Sequence, residues 1–430
     1  MHVLVLGANG FIGSTIVAAL IRAGMKVTGL VRDPEKFKNR FSGIESIKAD
    51  LRSETVCDSK FWTEKLGTID AVVNAAGVLQ PRRERDAWAV HFYALEALYS
   101  GCEQAGVRRF IQISAVGVEE AQTAFARSKS AADQNLMSRD LDWTILRPAI
   151  VIGDGSYGGT SMLRAIAVFP WITPVIGDGG TELDFIHKDD LADSIVEILL
   201  TGAAKRKVLE PASAERFTLL EAVRAYRHWL GLNACPVLKI PNPCLKFLAT
   251  LGDFMKLDPI TTTALAQFET RLTGNPDEFE SATGIKPRGL TAILQSRPAE
   301  SQDLWHARMY LVRPFIRVSL VVLWLTSGLL GLLSNPERYS SVLGPITENP
   351  NFSAALAMSM SLIDLAIAAA LVIGWRLKGL ANIQLVIVIG YTVALTLLAP
   401  TLWGDLYGGL LKNLPIIALI LVHRFLEEER

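Results

Sequence analysis

Residues 1–24, MHVLVLGANGFIGSTIVAALIRAG, place three glycines where a polyphosphate can be held. Val3 to Leu6 is an apolar run that breaks at Gly7; Gly10 and Gly13 follow at three-residue steps, and Ile16, Val17, Leu20 and Ile21 take up helical spacing. Gly7 allows a tight turn, Gly10 lets backbone N–H groups approach a pyrophosphate, and Gly13 lets the helix pack close to the strand. The helix N-terminus adds partial positive charge. With Asn9, Phe11 and Ile12 filling the turn, the stretch reads as a dinucleotide cradle.

Further along stand residues suited to the rest of such a ligand. An acidic residue about twenty positions after the glycines binds the ribose 2′-hydroxyl of NAD, whereas an arginine pairs with the 2′-phosphate of NADP. Here Arg32 follows the second apolar run, and Asp33-Pro34 has the form of a helix N-cap and first turn. NADP is the expected cofactor, with NAD as the alternative and a solvated surface arginine as the plainer reading of Arg32. Asp50 offers a carboxylate to an adenine amino group, and Leu51 an apolar cover for the ring. The small side chains of Asn74, Ala75, Ala76 and Gly77 let a cofactor lie against backbone.

These residues must be positioned by the elements before them. Strand patterns run over Lys26–Val31, Ile44–Ala49, Ala71–Asn74, Phe110–Ser114 and Trp143–Arg147, with helical patterns between. Repeated strand-helix alternation implies an α/β fold, a doubly wound (Rossmann) parallel sheet covered on both faces, with ligands outside the carboxyl ends of the strands.

Composition points to a second kind of domain. The 430 residues are 50% apolar with 43 basic and 43 acidic side chains, so no global field argues for a nucleic-acid partner. Charge is sparse at the end, with seven basic and seven acidic residues in 315–430. Four apolar stretches there, at about 315–333, 354–375, 380–398 and 406–426, have the length of membrane-spanning helices. The expected division is a nucleotide-binding domain at 1–300 and an all-α, four-helix transmembrane domain at 301–430. Arg308, Arg313 and Arg317 flank the first span, and Arg376 and Lys378 fill the turn between the second and third. The positive-inside rule then places both termini and the nucleotide domain on the cytoplasmic side of an inner membrane. Asp364 and Lys412 lie inside spans, where ionisable groups are costly, and are expected to pair or to face a polar ligand. Cys57, Cys102, Cys235 and Cys244 lack metal-site spacing and read as reduced packing residues, so no metal is expected. The apolar start is cut at Gly7 and has no basic stretch before it, the pattern of a first strand and not of a signal peptide.

Taken in order, GANGFIG, Arg32, Asp50-Leu51, NAAG at 74–77, Ser114, Lys129 and the LRP of Leu146 to Pro148 resemble the landmarks of the short-chain dehydrogenase/reductase superfamily, in particular its atypical NAD(P)H-binding branch. The resemblance covers roughly the first 290 residues and includes Phe185 to Asp190 and the stretch Leu272 to Pro287. It implies a small substrate-side subdomain, Lys129 and Pro148 beside the cofactor, and a catalytic Ser-Tyr-Lys set. Ser114 and Lys129 occupy two of those positions, but the tyrosine position is Phe125, which has no proton to give. Three readings stay open: hydride transfer with another donor such as Ser114 or a water it holds; chemistry that needs no phenol, as in enoyl or isoflavone-type reduction; or NADP(H) binding without turnover, as thought for an accessory subunit of respiratory complex I. His187, in the Phe185–Asp190 element, is expected to pack loops together and not to catalyse.

Trp305 to Arg308, Arg313-Pro314 and Lys412 to Pro415 are similar to the DoxX-like membrane family over roughly residues 304–426. That family is associated with membrane redox and quinone chemistry. Together the two resemblances imply a membrane-anchored oxidoreductase acting on a lipid-soluble or quinone-like substrate, with a membrane redox complex as a further partner, or a non-catalytic sensor or assembly protein of such a complex.

Overall fold

The computed structural model describes residues 1–79, 83–155, 157–255, 261–334, 349–404 and 409–427. The chain divides into two compact units, residues 1–246 with 262–304, and residues 247–261 with 305–430.

The first unit is built on the expected alternation. β1 (His2–Leu6) leads through the glycine turn into α1 (Phe11–Arg22), β2 (Lys26–Val31) into α2 (Pro34–Arg40), and β3 (Glu45–Lys48) into α3 (Ser59–Lys65). After β4 (Ala71–Asn74) come α4 (Glu84–Trp88), a π-helical turn at Ala89–Tyr93, and α5 (Ala94–Ala105). β5 (Arg109–Ile113), α6 (Ala124–Met137) and β6 (Asp142–Leu146) complete the run. The sheet order is β3-β2-β1-β4-β5-β6, every pair parallel, with β10 (Lys207–Leu209) added beside β6. Strand order reverses between β1 and β4, which opens a crevice at their carboxyl ends. Burial explains the apolar runs: Val3 to Leu6 and Ala71 to Val73 are fully buried, because helices cover both faces of the sheet.

A smaller assembly follows. β7 (Ile150–Ile152) and β11 (Arg216–Thr218) flank β9 (Glu182–His187), and β8 (Thr173–Ile176) pairs in parallel with β12 (Val237–Ile240). Around them lie α7 (Gly158–Ala167), α8 (Lys188–Thr201), α9 (Leu219–Trp229), α10 (Asn242–Met255), α11 (Thr262–Phe268), α12 (Pro276–Thr283) and α13 (Leu290–Ser296). Helix ends follow their side chains: Asp33 caps α2 through Lys36 N, and Thr218 and Glu221 form a reciprocal box on α9.

In the second unit α14 (Ser301–Leu333, its first turn belonging to the first unit), α15 (Pro350–Ile373) and α16 (Leu377–Leu398) are long and apolar enough to cross a membrane. The fourth expected span is shorter. Of it, 406–408 lie outside the described residues; Leu410–Lys412 form a 3-10 turn, and α17 (Asn413–Leu426) has 14 residues, about 21 Å against a hydrocarbon core of about 30 Å. Glu337, Arg338 and Glu348, between the first two expected spans, also lie outside the described residues.

The pairing expected for Asp364 and Lys412 is not what forms. Asp364 accepts a 2.7 Å hydrogen bond from Ser327 on α14, while Lys412 is exposed in the turn before α17. Arg317 turns inward as well, donating from Nε to the Leu371 carbonyl at 2.8 Å and from Nη2 to that of Val372 at 3.1 Å. A cation thus adds a second donor at Leu371 O, which already accepts from Gly374 N at 3.2 Å, and supplies one to Val372 O near the end of α15. Arg313 pairs with Glu427 at 2.9 Å.

Candidate functional site

The glycine turn shows why no larger residue serves there. Gly7 has φ +71°, and a Cβ on it would lie 2.9 Å from Ala75 O and from Ala76 N, so the turn after β1 packs directly on the turn after β4. A Cβ on Gly13 would strike the Gly7 carbonyl. Gly10 differs: a Cβ there would meet only Gly7 O, at 3.1 Å, so its other side is open. As N-cap of α1 it brings no capping side chain, and the first turn of the helix carries no acidic residue. The first N–H groups of α1 therefore have neither an intrahelical acceptor nor a carboxylate competing for them, which suits a pyrophosphate. Phe11 stacks on Tyr157 with ring centres 5.2 Å apart, and Ile12 is half-buried.

Beside the turn, Arg32 is exposed at the end of β2. The Asp33 carboxylate is engaged by Lys36 N at 3.2 Å, so it is the arginine that is presented. Asn9 ties this end together, donating to Asp33 O and accepting from Arg40 Nη1, each at 3.3 Å. Arg40 is a second cation at this edge that the sequence pattern did not single out.

Three expected cofactor residues have other work. Asp50 is gripped by Arg52 through Nε at 3.0 Å and Nη2 at 2.6 Å, and that contact holds its carboxyl below the usual range. Leu51 is buried in the apolar cluster on one face of the sheet. Asn74 is fully buried; it donates to Gln112 at 2.9 Å and accepts from Ala76 N at 3.0 Å, shaping the turn from within. Ala75, Ala76 and Gly77 form that turn's accessible surface, and a Cβ on Gly77 would lie 3.8 Å from Lys129 Nζ. Pro148 is buried, and its carbonyl accepts from Val116 N.

At the carboxyl ends of β5 and β6 the expected Ser114 and Lys129 lie with Arg147 of the LRP stretch and with Asp133 and His91, which the sequence did not flag. Ser114 Oγ donates to Asp133 Oδ2 at 2.8 Å, and Arg147 Nε donates to the same oxygen at 3.1 Å. Arg147 Nη2 also lies 2.8 Å from Glu119. Burial pushes the Asp133 carboxyl up, against the opposing pull of Arg147 and the Ser114 hydrogen bond. Lys129 Nζ donates to the Ile113 carbonyl at 2.8 Å, and burial brings its pKa down from 10.5 to about 8. Phe125 is 8% exposed, with Lys129 Nζ 5.7 Å from its ring centre and the edge of His91 against it. His91 Nε2 accepts from Val78 N at 2.9 Å, so its proton sits on Nδ1, 2.8 Å from Ser128 Oγ, which in turn donates to Phe125 O. Burial, with Lys129 nearby, holds His91 well below the usual imidazole range, so it is neutral. Asp133 had a signal available: four residues after Lys129 places it on the same helix face. His91 had none, since its position depends on the π turn.

His187 caps α8 and faces Arg288 Nη2 at 2.9 Å. Its ligand atoms and those of Asp154 and Asp189 lie within 4.8 Å of one another, but the guanidinium already supplies the positive charge there.

Comparison with known proteins fits this geometry. Residues 7–201 match the NAD(P)H-binding family, and residues 321–421 match the DoxX-like family. The chain is similar to a mitochondrial NADH dehydrogenase [ubiquinone] 1 alpha subcomplex subunit 9 of Arabidopsis thaliana, 27% identical over 58% of this chain and 63% of that one. It is also similar to a ceramide reductase of Caulobacter vibrioides, 24% identical over 58% of this chain and 77% of that one. The match spans between about half and two thirds of the first two curated relatives. Among solved structures, a UDP-glucose 4-epimerase of Thermus thermophilus in complex with NAD superposes with a TM-score of 0.53, covering 72% of this chain and 99% of that one at 20% identity, which speaks for the fold alone.

Proposed function

We propose that this chain, a short-chain dehydrogenase/reductase-like NAD(P)H-binding domain followed by a DoxX-like membrane domain, is a membrane-anchored NADP(H)-dependent reductase of a lipid-soluble or quinone-like compound. NADPH, when bound, supplies a hydride. The residues for holding it are the glycine turn with Asn9, Phe11 and Ile12, the Ala75 to Gly77 surface, Lys129 at the nicotinamide end, and Arg32 with Arg40 at the 2′-phosphate.

The carrying observation is the buried polar set at the far end of that path. Lys129 is kept there although its charged form is penalised by burial, and one N–H of its ammonium satisfies Ile113 O while the others stay available to a ribose hydroxyl. Ser114 donates a hydrogen bond to Asp133, so toward a substrate it presents lone pairs; when Asp133, whose carboxyl burial pushes up, holds a proton taken from solvent, it can donate to Ser114 Oγ while the hydroxyl passes its own proton to the substrate, leaving Asp133 a carboxylate. A proton thus has a route to a reduced substrate without a phenol. The lipid-soluble substrate is supported by the membrane unit and by the reductase named among the relatives. Orientation follows the side of Arg308, Arg376 and Lys378, which we assign to the cytoplasm. Arg317 drops out of that argument because it is buried against α15.

Phe125 supports a second reading, a cofactor-holding sensor or assembly protein, because an apolar ring fills the proton donor's place. The two separate in one experiment on the full-length protein in detergent. NADPH binding is measured first, then NADPH oxidation with a short-chain quinone and with an enone. Turnover that falls in Ser114→Ala supports the reductase. Tight binding with no oxidation, in the natural protein and in Phe125→Tyr, overturns it in favour of the second reading.

A further inference from the structure

Among the described residues, most of the apolar face of α10 is left uncovered, Met255 at its end being the buried exception. Phe247 and Phe254 are 71% and 70% exposed, and Leu248 and Leu251 are 45% and 42% exposed, which is far from the usual state of four large apolar side chains on one short helix. At about 100° per residue, Cys244, Phe247, Leu248, Leu251, Phe254 and Met255 share an arc of roughly 120°. Lys246, Thr250 and Asp253 fall on the opposite arc, and Ala249 and Gly252 form a narrow buried stripe between. The helix is amphipathic, but its apolar side is the outer one.

Its surroundings say what covers that side. Residues 247–261 cluster with the membrane-crossing helices and not with the nucleotide-binding unit, although they lie in the midst of the latter's sequence. Met255 packs in the same apolar cluster as Ile316, Leu320 and Trp324 of α14. The exposed face of α10 is therefore continuous with the apolar surface of helices that lie in lipid. Fourteen residues make a helix of about 21 Å, too short to cross a hydrocarbon core of about 30 Å, and the polar arc could not be hidden within it. A helix of this kind rests in the plane of the interface with its apolar face toward the acyl chains.

We propose that α10 is an interfacial membrane helix, with Phe247, Leu251 and Phe254 inserted among lipid chains, so that the chain leaves the nucleotide-binding unit, touches the bilayer at residues 247–255, and returns before α14 crosses it. The partner is the lipid surface itself. This rests on no assumption about catalysis.

The test uses full-length protein in phospholipid nanodiscs, with Cys57→Ser and Cys235→Ser leaving Cys244 as the exposed thiol and Cys102 buried. A nitroxide on Cys244 reads the apolar arc without any substitution on α10. Labels at Phe254→Cys and Asp253→Cys, each with Cys244→Ser, read the two arcs at the far end. Collision with oxygen, which partitions into lipid, is compared with collision with a water-soluble nickel chelate. Expected is an oxygen-to-nickel ratio several-fold higher at Cys244 and Phe254→Cys than at Asp253→Cys. Equal, water-like ratios at all three would overturn the proposal. So would low collision with both reagents on the apolar arc, since that result means a second copy or another protein segment covers it.

Discussion

Lys129 yields the sharpest test of the site, because the same burial that fits it to a cofactor must weaken the fold. The free side chain takes up a proton at 10.5, and the folded one at about 8. Between those values the unfolded chain binds more protons than the native one, so stability rises with pH across that window. Below about pH 8 the whole cost of burying the ammonium is present; above 10.5 it is gone. At 1.36 kcal/mol per pKa unit the difference is about 3 kcal/mol. Lys129→Met removes the titrating group and keeps the aliphatic bulk. It also strips Ile113 O of its donor, a roughly constant loss of about 1 to 3 kcal/mol at every pH. His91 senses Lys129 but titrates below the window, so it does not blur the comparison. The assay is thermal or urea unfolding of full-length protein in detergent at half-unit steps from pH 7.5 to 10.5. Relative to the natural protein, the variant should lose about 3 kcal/mol of standing as pH rises, or roughly 5 °C in Tm at about 1.6 °C per kcal/mol for a unit of this size. Curves that run parallel within about 1 kcal/mol would refute the burial argument.

Three further outcomes follow from the same geometry. Arg32→Ala and Arg40→Ala, measured by NADPH fluorescence titration, should each weaken NADPH binding about tenfold, the value of one charge-assisted contact, and leave NADH unchanged; equal loss for both cofactors would remove the 2′-phosphate assignment. Gly13→Ala should cost at least about a hundredfold in affinity for either cofactor, because its methyl group meets the Gly7 carbonyl and the turn must open; affinity within a few-fold of the natural protein would show that the turn is not the cradle. Asp133→Asn leaves Arg147 with only the outward Glu119 as counter-charge, and the expected destabilisation of about 3 kcal/mol is seen as a Tm drop of roughly 5 °C; an unchanged Tm would mean that the buried pair contributes nothing.

What could be read from the chain alone was what local chemistry encodes. β1, β2 and β4 follow from unbroken apolar runs ended by Gly7, Arg32 and the NAAG turn, and the parallel sheet follows from their alternation with helices. β10 escaped because Lys207 to Leu209 is three residues with no pattern, made a strand only by pairing with β6. Asp50 and Asn74 show a contact that spacing hides. Each is expected to face a ligand, and each has a protein partner, Arg52 and Gln112, that sequence spacing does not reveal. α10 was invisible for a related reason: its amphipathic pattern is ordinary, and only its packing shows the apolar face turned outward.

Replacing a tyrosine by phenylalanine changes more than one proton donor. In an active set, the lysine lowers the phenol's pKa and the serine points at the substrate. With Phe125 the ammonium has no phenol to act on and instead lies 5.7 Å from the ring centre, an electrostatically favourable place for a cation. Ser114 has turned to Asp133 Oδ2, which Arg147 Nε meets as well, while Asp133 Oδ1 keeps no hydrogen-bond partner among the described residues. Losing a general acid costs a reaction about 10²–10⁴-fold when the transition state needs that proton. A substrate whose reduced form is already stabilised, such as a conjugated carbonyl or a quinone, needs it less than an isolated ketone does. The same residues that argue against ordinary ketone reduction therefore favour a conjugated acceptor, and comparing NADPH oxidation by an enone with that by its saturated ketone tests this directly: equal rates, or a faster saturated ketone, would show that Phe125 places no limit on the chemistry.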